Sequence, residues 1–308
     1  MSNLSVNTIT DASGGSTASI NGLTPQASNM QPHNWIINGA MEVSQRGTSF
    51  TSSSAIYTLD RWKSQARAGA TVTTTQEANQ IVDGFNLKVL QFSVTTPASD
   101  SLTILNHYVE NAGINLYGKT LTVSWYAKIT SGSATVQARF EGNNATQFSS
   151  NTSALTGDWQ RFSYTFVFTG YTYPPSYDHG RLMFYFTGAS AHTIQITGVQ
   201  LEAGSTASSF AHENYGDTLS KCQRYFQIVE AHNRFRAAGT SHIYTNTVNY
   251  FVEMRAIPTT SKSGGVVSNI GLEGLNSVTT RAFRYELTNT SAGDAYQLGR
   301  IVSLDAEL

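Results

Sequence analysis

The chain has 308 residues, enough for two domains or one large β domain. Charged residues are 13% against a usual ~25%, aromatics reach 11% and the formal net charge is −1, so no basic field exists to hold nucleic acid. The one cysteine, Cys222, excludes an internal disulfide framework and zinc sites built on Cys pairs.

Residues 1–33 read as a polar, low-complexity arm. "DASGGSTASINGLTPQASNMQP" offers Gly, Ser, Thr and Pro with little to bury, so an extended or disordered segment is expected. Its apolar residues Val6, Ile9, Ile20 and Leu23 are candidates for docking on a partner; an unattached terminus is the alternative. The start "MSNLSVNTIT" lacks the basic and apolar regions of a signal peptide. No apolar run approaches ~18 residues, so membrane insertion is not expected.

From Trp35 the pattern turns to strands. "GINLYGKT", residues 113–120, satisfies the phosphate-loop pattern G-x-x-x-x-G-K-[ST]. That chemistry needs a helix N-terminus after the loop. The next residues are instead "LTVSWYAKI", which alternate with period two: Leu121, Val123, Trp125, Ala127 and Ile129 share one face. The stretch therefore reads as a turn, bent at Gly118, that feeds a core strand. "ATVQARFEG" repeats the alternation, and "WQRFSYTFVF" places Phe162, Tyr164, Phe166 and Phe168 on one side. "RLMFYF" gives Leu182, Phe184 and Phe186. "TIQITGVQLEAG" closes the series with Ile194 and Ile196, then Val199 and Leu201 after an expected bulge at Gly198. Many short strands without intervening helices predict an antiparallel sandwich.

Between two of these strands lies "TGYTYPPSYDHG". Tyr171, Tyr173, Tyr177, Asp178 and His179 surround Pro174 and Pro175, which stiffen the loop. Tyr rings stack on apolar sugar faces while hydroxyls and a carboxylate bond sugar hydroxyls. Tyr is equally enriched at subunit interfaces. Glycan contact, inter-subunit contact and a self-packed loop all remain open for these five residues.

After Phe210, "YGDTLSKCQRYFQIVEAH" predicts a helix. Leu219, Cys222, Gln223 and Phe226 form its stripe, Val229 extends it, and Asp217 is placed as a cap. Cys222 shares that apolar stripe and reads as a small buried thiol rather than a nucleophile. "HIYTNTVNYFVEMRAIP", "TRAFRYELTN" and "GRIVSLDAEL" read as further strands, with Met254 and Ile257 packing inward and Arg255 a candidate to bond carboxylates or carbonyls of a neighbouring chain; a plain strand end stopped by Pro258 is the alternative. The chain has no H-E-x-x-H, G-x-S-x-G or G-x-G-x-x-G, and its acidic residues cannot be paired into a glycosidase site from sequence. A non-enzymatic protein without a cofactor is expected.

Three stretches in order carry a family likeness: "NWIINGAMEVSQRGTSF…YTLDRW", "ITGVQLEAGSTASSFAHENYGDTLSKCQRYFQ" and "VEMRAIPT", with "LDAEL" at the end. Together they resemble bacteriophage virion proteins of the tail-fibre or tail-associated type. "SVNTITDASGGSTASINGLTP" is similar to leader segments of cyanophage-type structural proteins. The resemblance implies three parts: a virion-anchoring arm at 1–33, a carbohydrate-binding-module-like jelly roll at 34–212, and a smaller β-rich domain with one short helix at 213–308 that assembles as a homotrimer. The implied partners are other virion proteins of the tail, neck or capsid, reached through the arm, and host surface polysaccharide. The implied location is the virion. A purely structural decoration or neck-fibre role is the alternative. "INGAME" and "ITGVQLE" also look like the first and last strands of calcium-containing carbohydrate-binding jelly rolls. Two acidic positions of that pattern are Ala40 and Gly198 here, which leaves Glu42 and Glu202 as a lesser calcium alternative.

Overall fold

The structure is a computed structural model and describes residues 34–112, 116, 118–141, 147–149 (backbone only), 151–168 and 179–308. The arm, with Val6, Ile9, Ile20 and Leu23, lies outside the described residues. So do Tyr171, Tyr173, Tyr177 and Asp178, and part of "GINLYGKT".

Among the described residues, thirteen strands build the first unit. They are β1 (Ser49–Ser52), β2 (Ala55–Tyr57), β3 (Trp62–Gln65), β4 (Thr71–Val82), β5 (Phe85–Thr96), β6 (Leu102–Glu110) and β7 (Thr120–Ser131). Then come β8 (Thr135–Glu141), β9 (Gln147–Ser149), β10 (Ser153–Ala154), β11 (Gln160–Val167), β12 (His179–Thr187) and β13 (His192–Ala203). One sheet runs β1-β4-β5-β13-β7-β11. The other runs β10-β8-β12-β6-β3-β2, with β9 beside β8. All pairings are antiparallel, and the whole is a jelly-roll-like sandwich.

The core is aromatic. Trp62, Phe92, Trp125, Phe140, Phe166, Phe184 and Phe186 are buried between the sheets. Trp125 meets Phe184 edge-on at 5.1 Å and stacks with Phe162 at 5.5 Å. Burial of each such ring contributes roughly 1.5–3 kcal/mol. The alternation expected for Leu121 to Ile129 places those residues on this core. Thr120 begins a strand and not a helix, Gly118 has φ +76° in the turn, and the exposed Lys119 lies 5.7 Å from the Trp35 ring.

The first and last segments of the sandwich meet. Val199 N–H donates to Gly39 O at 3.0 Å, and Asn34 Nδ2 donates to Val199 O at 3.0 Å. A Cβ on Gly39 would sit 2.1 Å from Val199 O, so only glycine allows this approach. Gly198 has φ +58° at a register shift between Thr197 and Gln200, the expected bulge.

The second unit holds α1 (Tyr215–Gln223), β14 (Phe226–Ala237), β15 (Ile243–Asn249), β16 (Thr259–Ser268), β17 (Ile270–Asn276), β18 (Ala282–Asn289) and β19 (Gly293–Asp305). Two three-stranded sheets, β14-β19-β16 and β15-β18-β17, enclose a small core of Val229, Met254, Phe283, Tyr285, Leu287, Val302 and Leu304.

Three expectations need correction here. The helix ends at Gln223, so Phe226 and Val229 belong to β14; a strand that starts at Phe226 buries both and mimics the helical spacing. The N-cap is Asn214, with Asp217 in the first turn. "YFVEMRAIP" is irregular: Met254 is buried, but Ile257 is 66% exposed.

Candidate functional site

The inward face of the seven-stranded sheet is spent on the core. Its opposite, outward face carries a smaller buried cluster beneath half-buried polar and cationic side chains. Cross-strand register puts Tyr57 opposite Lys63, Lys63 opposite Asn106, Asn106 opposite Met183 and Met183 opposite Arg139. This row crosses five strands, which at about 4.8 Å per strand spans roughly 19 Å. On one side lie Gln65, Ile104, Tyr185 and Gln137; on the other lie Tyr108, Arg181 and Glu141. Alternation along each strand produces the arrangement, because Leu105, Leu182, Phe184 and Ala138 point the other way into the core.

Apolar and polar groups interleave on this face. Ile104, Met183 and Tyr185 form their own buried cluster, separate from the main core. The Arg139 guanidinium lies 4.0 Å from the Tyr185 ring centroid, and its Nε donates to Gln137 Oε1 at 2.7 Å. Lys63 Nζ lies 5.0 Å from the Tyr57 ring and 5.5 Å from the Tyr108 ring. Arg181 pairs with Glu141. Asn106 is 1% exposed; its Nδ2 donates to Lys63 O at 3.1 Å, and its Oδ1 has no hydrogen-bond partner. A buried acceptor left unpaired costs about 1–3 kcal/mol, and native chains leave few of them.

One end of this face abuts the second unit. Arg61 is fully buried with φ +71°; it pairs with Glu307, donates to Tyr108 O at 2.6 Å and lies 3.5 Å from the Tyr225 ring centroid. Arg46 reaches Asp305 at 3.2 Å and Glu307 at 3.5 Å, over the Phe226 ring at 3.6 Å. Arg224 and Tyr225 donate to Glu110 at 2.9 and 2.6 Å. Burial pushes the Glu307 carboxyl up, against the pull of Arg61 and Arg46. Burial also raises Glu110, but hydrogen bonds from Tyr225 and Arg224 outweigh it and hold the carboxyl below its ordinary value. Burial and the Glu110 carboxylate push the Tyr225 phenol up to about 12.

Of the five loop candidates only His179 is described. It opens β12 opposite Glu110 and sits edge-on to Tyr108 at 5.4 Å, at the border of the outward face. Glu42 and Glu202 are not brought together on a common ligand. Glu202 accepts from Ser208 N at 2.9 Å, Ser208 Oγ at 2.6 Å and Gln200 Nε2 at 3.0 Å, which pins the turn after β13. Glu42 contacts His212 Nε2 at 2.9 Å. Among the described residues no group of three or more His, Cys, Asp or Glu converges, and Glu42 and Glu202 engage different partners. Cys222 is buried, and burial raises its thiol well above the ordinary value.

A cavity of about 350 Å³ lies between the opening segment and α1, lined by Asn34, Asn38, Phe210, His212, Asp217 and Lys221 among others. Its charged groups largely satisfy one another, through Lys221–Glu213 and His212–Glu42. The outward face, with its unpaired buried acceptor and ring-held cations, is the stronger candidate. Sequence reading misses it because five strands contribute one row residue each. The available signal is "LTILNHYVE", where Ile104, Asn106 and Tyr108 share the side opposite Leu105.

No family model matches the chain, and no curated protein sequence matches it. Solved structures show partial likenesses. One, from work on "CBM4 structure and function", is 23% identical over 55% of this chain and 99% of that one, with a TM-score of 0.35. The CBM22-1 xylan-binding domain of Paenibacillus barcinonensis Xyn10C is 14% identical over 55% of this chain and 93% of that one, with a TM-score of 0.36. The enzymatically active domain of bacteriophage CBA120 tailspike protein 4 is 13% identical over 56% of this chain and 22% of that one, with a TM-score of 0.35. At these TM-scores the likenesses carry no argument about a ligand; the site rests on this chain's own residues.

Proposed function

We propose that this chain is a non-enzymatic structural protein of a bacteriophage particle, of the tail-fibre type. In this reading it is trimeric, residues 1–33 hold it to other virion proteins, and the outward face of the seven-stranded sheet contacts host surface glycan. The phage part rests on the sequence resemblance. The glycan part rests on one observation: the row Tyr57, Lys63, Asn106, Met183 and Arg139, with the unpartnered Asn106 Oδ1 at its centre. Rings offer stacking surface, while amide and cationic groups offer directed bonds, which is what a saccharide with apolar faces and equatorial hydroxyls requires. Each site would be weak alone, and three copies on one fibre would multiply its effect. No membrane insertion and no nucleic acid enter this reading.

The test is adsorption. Purified chain should bind host cells or their extracted polysaccharide, and Tyr108→Ala should weaken that binding tenfold or more at an unchanged melting temperature. Unchanged binding by that variant would place the contact elsewhere. A purely structural decoration or neck-fibre role has one observation in its favour. Val266, Leu272, Leu298 and Ile301 are exposed on the second unit, apolar surface of a kind that a subunit contact covers. Absence of any binding to cells or polysaccharide by the trimer would favour it.

A further inference from the structure

We infer that the outward face selects a saccharide that carries a carboxylate, with the Lys63 ammonium as anion anchor and Asn106 Oδ1 as acceptor for a neighbouring hydroxyl. The inference rests on the glycan reading above and adds its charge class.

The charges on the face are unequal in their partners. Its carboxylates are already committed: Glu141 to Arg181, and Glu110 to Arg224 and Tyr225. Beyond Tyr57, Asp305 and Glu307 are held by Arg46 and Arg61. Lys63, by contrast, has no carboxylate within ion-pair distance among the described residues. Two phenol rings flank its ammonium instead, Tyr57 at 5.0 Å and Tyr108 at 5.5 Å. Ring quadrupoles attract such a cation without neutralising it. A cation held in this way is poised for an anion from outside.

The second half of the site is its neighbour. Lys63 and Asn106 face each other across the β3–β6 pairing. Asn106 Nδ2 donates to Lys63 O, so the amide cannot be flipped without setting oxygen against oxygen. Its Oδ1 is therefore the atom left without a donor, and it is buried. A hydroxyl donor that reached it would satisfy it. A terminal acidic sugar supplies both groups from adjacent ring carbons, a carboxylate for the ammonium and a hydroxyl for the amide oxygen. A neutral sugar supplies only the second.

The experiment uses the full chain, with tetramers of galacturonate, glucuronate and mannuronate and their neutral galactose, glucose and mannose counterparts. Calorimetry at low and moderate salt reads the affinities, and thermal melting verifies each variant. At least one acidic tetramer should bind tenfold or more tightly than its neutral counterpart, with the preference shrinking as salt rises. Lys63→Gln should reduce the preference to within twofold at an unchanged melting temperature. Lys63→Glu should invert it. Equal binding of both series, or a preference that survives Lys63→Gln, would overturn the carboxylate inference and leave the glycan reading standing. If neither series binds at millimolar concentration, the glycan reading falls and the inference falls with it.

Discussion

The two units of this chain solve burial differently. The sandwich encloses a continuous aromatic layer between two broad sheets, with Trp62, Trp125, Phe140 and Phe184 at its centre. The second unit has two narrow sheets and a thin core, and it leaves Val266, Leu272, Leu298 and Ile301 on its surface. It secures itself instead through charge. Its last strand carries Asp305 and leads to Glu307, both of which pair with arginines of the sandwich. Apolar area stabilises in proportion to its extent, whereas a buried ion pair is sensitive to the loss of a single partner. The sandwich should therefore fail gradually under mutation and the joint between the units abruptly.

The largest expected effect lies in the sandwich. Trp62 is fully buried, donates from Nε1 to Asn38 O at 3.0 Å and meets His107 edge-on at 5.0 Å. Trp62→Ala should cost about 3–5 kcal/mol in chemical denaturation, through cavity formation and the lost hydrogen bond. An effect of similar size is expected at the joint. Arg61→Ala leaves the Glu307 carboxylate buried beside Asp60 and should cost roughly 3–5 kcal/mol. It should also split one melting transition into two, because the units are then coupled less tightly. The double change Arg61→Met with Glu307→Leu should recover most of the loss, since an apolar pair of similar volume removes both charges. A single, unshifted transition for Arg61→Ala would dissolve the contrast between the two units.

A smaller effect is expected at the closing strand of the sandwich. Gly198 has φ +58°, and a Cβ there would stand 2.7 Å from the Tyr126 ring. Gly198→Ala should cost about 1–3 kcal/mol, measured by thermal melting, from backbone strain and displacement of the ring. Tyr126 also donates to Asp83, so the disturbance should reach the β4–β5 turn.

Legibility from sequence divides along the same line. The sandwich is readable because alternation in "LTVSWYAKI" or "RLMFYF" places every second residue in one core, and period two survives without knowledge of the partner strand. The meeting of "INGAME" with "ITGVQLE", where Gly39 packs on the Val199 carbonyl, becomes visible only once the two segments are paired. The joint is hidden. Nothing local marks Arg61 and Glu307 as partners 246 residues apart. The outward face is hidden for the same reason: Lys63, Asn106 and Met183 become neighbours only through register. The helix stripe runs too far in sequence, past Gln223, because Phe226 and Val229 satisfy helical spacing while sitting in a strand.

The smallest predicted effect tests whether charge also governs the inside of the second unit. Glu273 accepts from Arg300 Nε at 2.8 Å and Nη2 at 2.7 Å, and from the Tyr285 hydroxyl, which joins β17, β18 and β19 across the two small sheets. Burial raises its carboxyl, but the Arg300 and Tyr285 hydrogen bonds outweigh it and hold it below the ordinary value of 4.5. A carboxyl depressed in the folded state stabilises fully above its unfolded value, and that stabilisation disappears as pH falls through the folded one. The second unit should therefore lose stability below about pH 4.5 through this residue. Glu273→Gln should lower its melting temperature at pH 7 and flatten the acid limb. The sandwich, whose own acid response runs through other groups such as the buried His107 beside Trp62, should keep its acid limb unchanged in that variant. If Glu273→Gln leaves the acid limb as steep as before, the small sheets are held by their apolar core after all, and the contrast between the units shrinks to the joint alone.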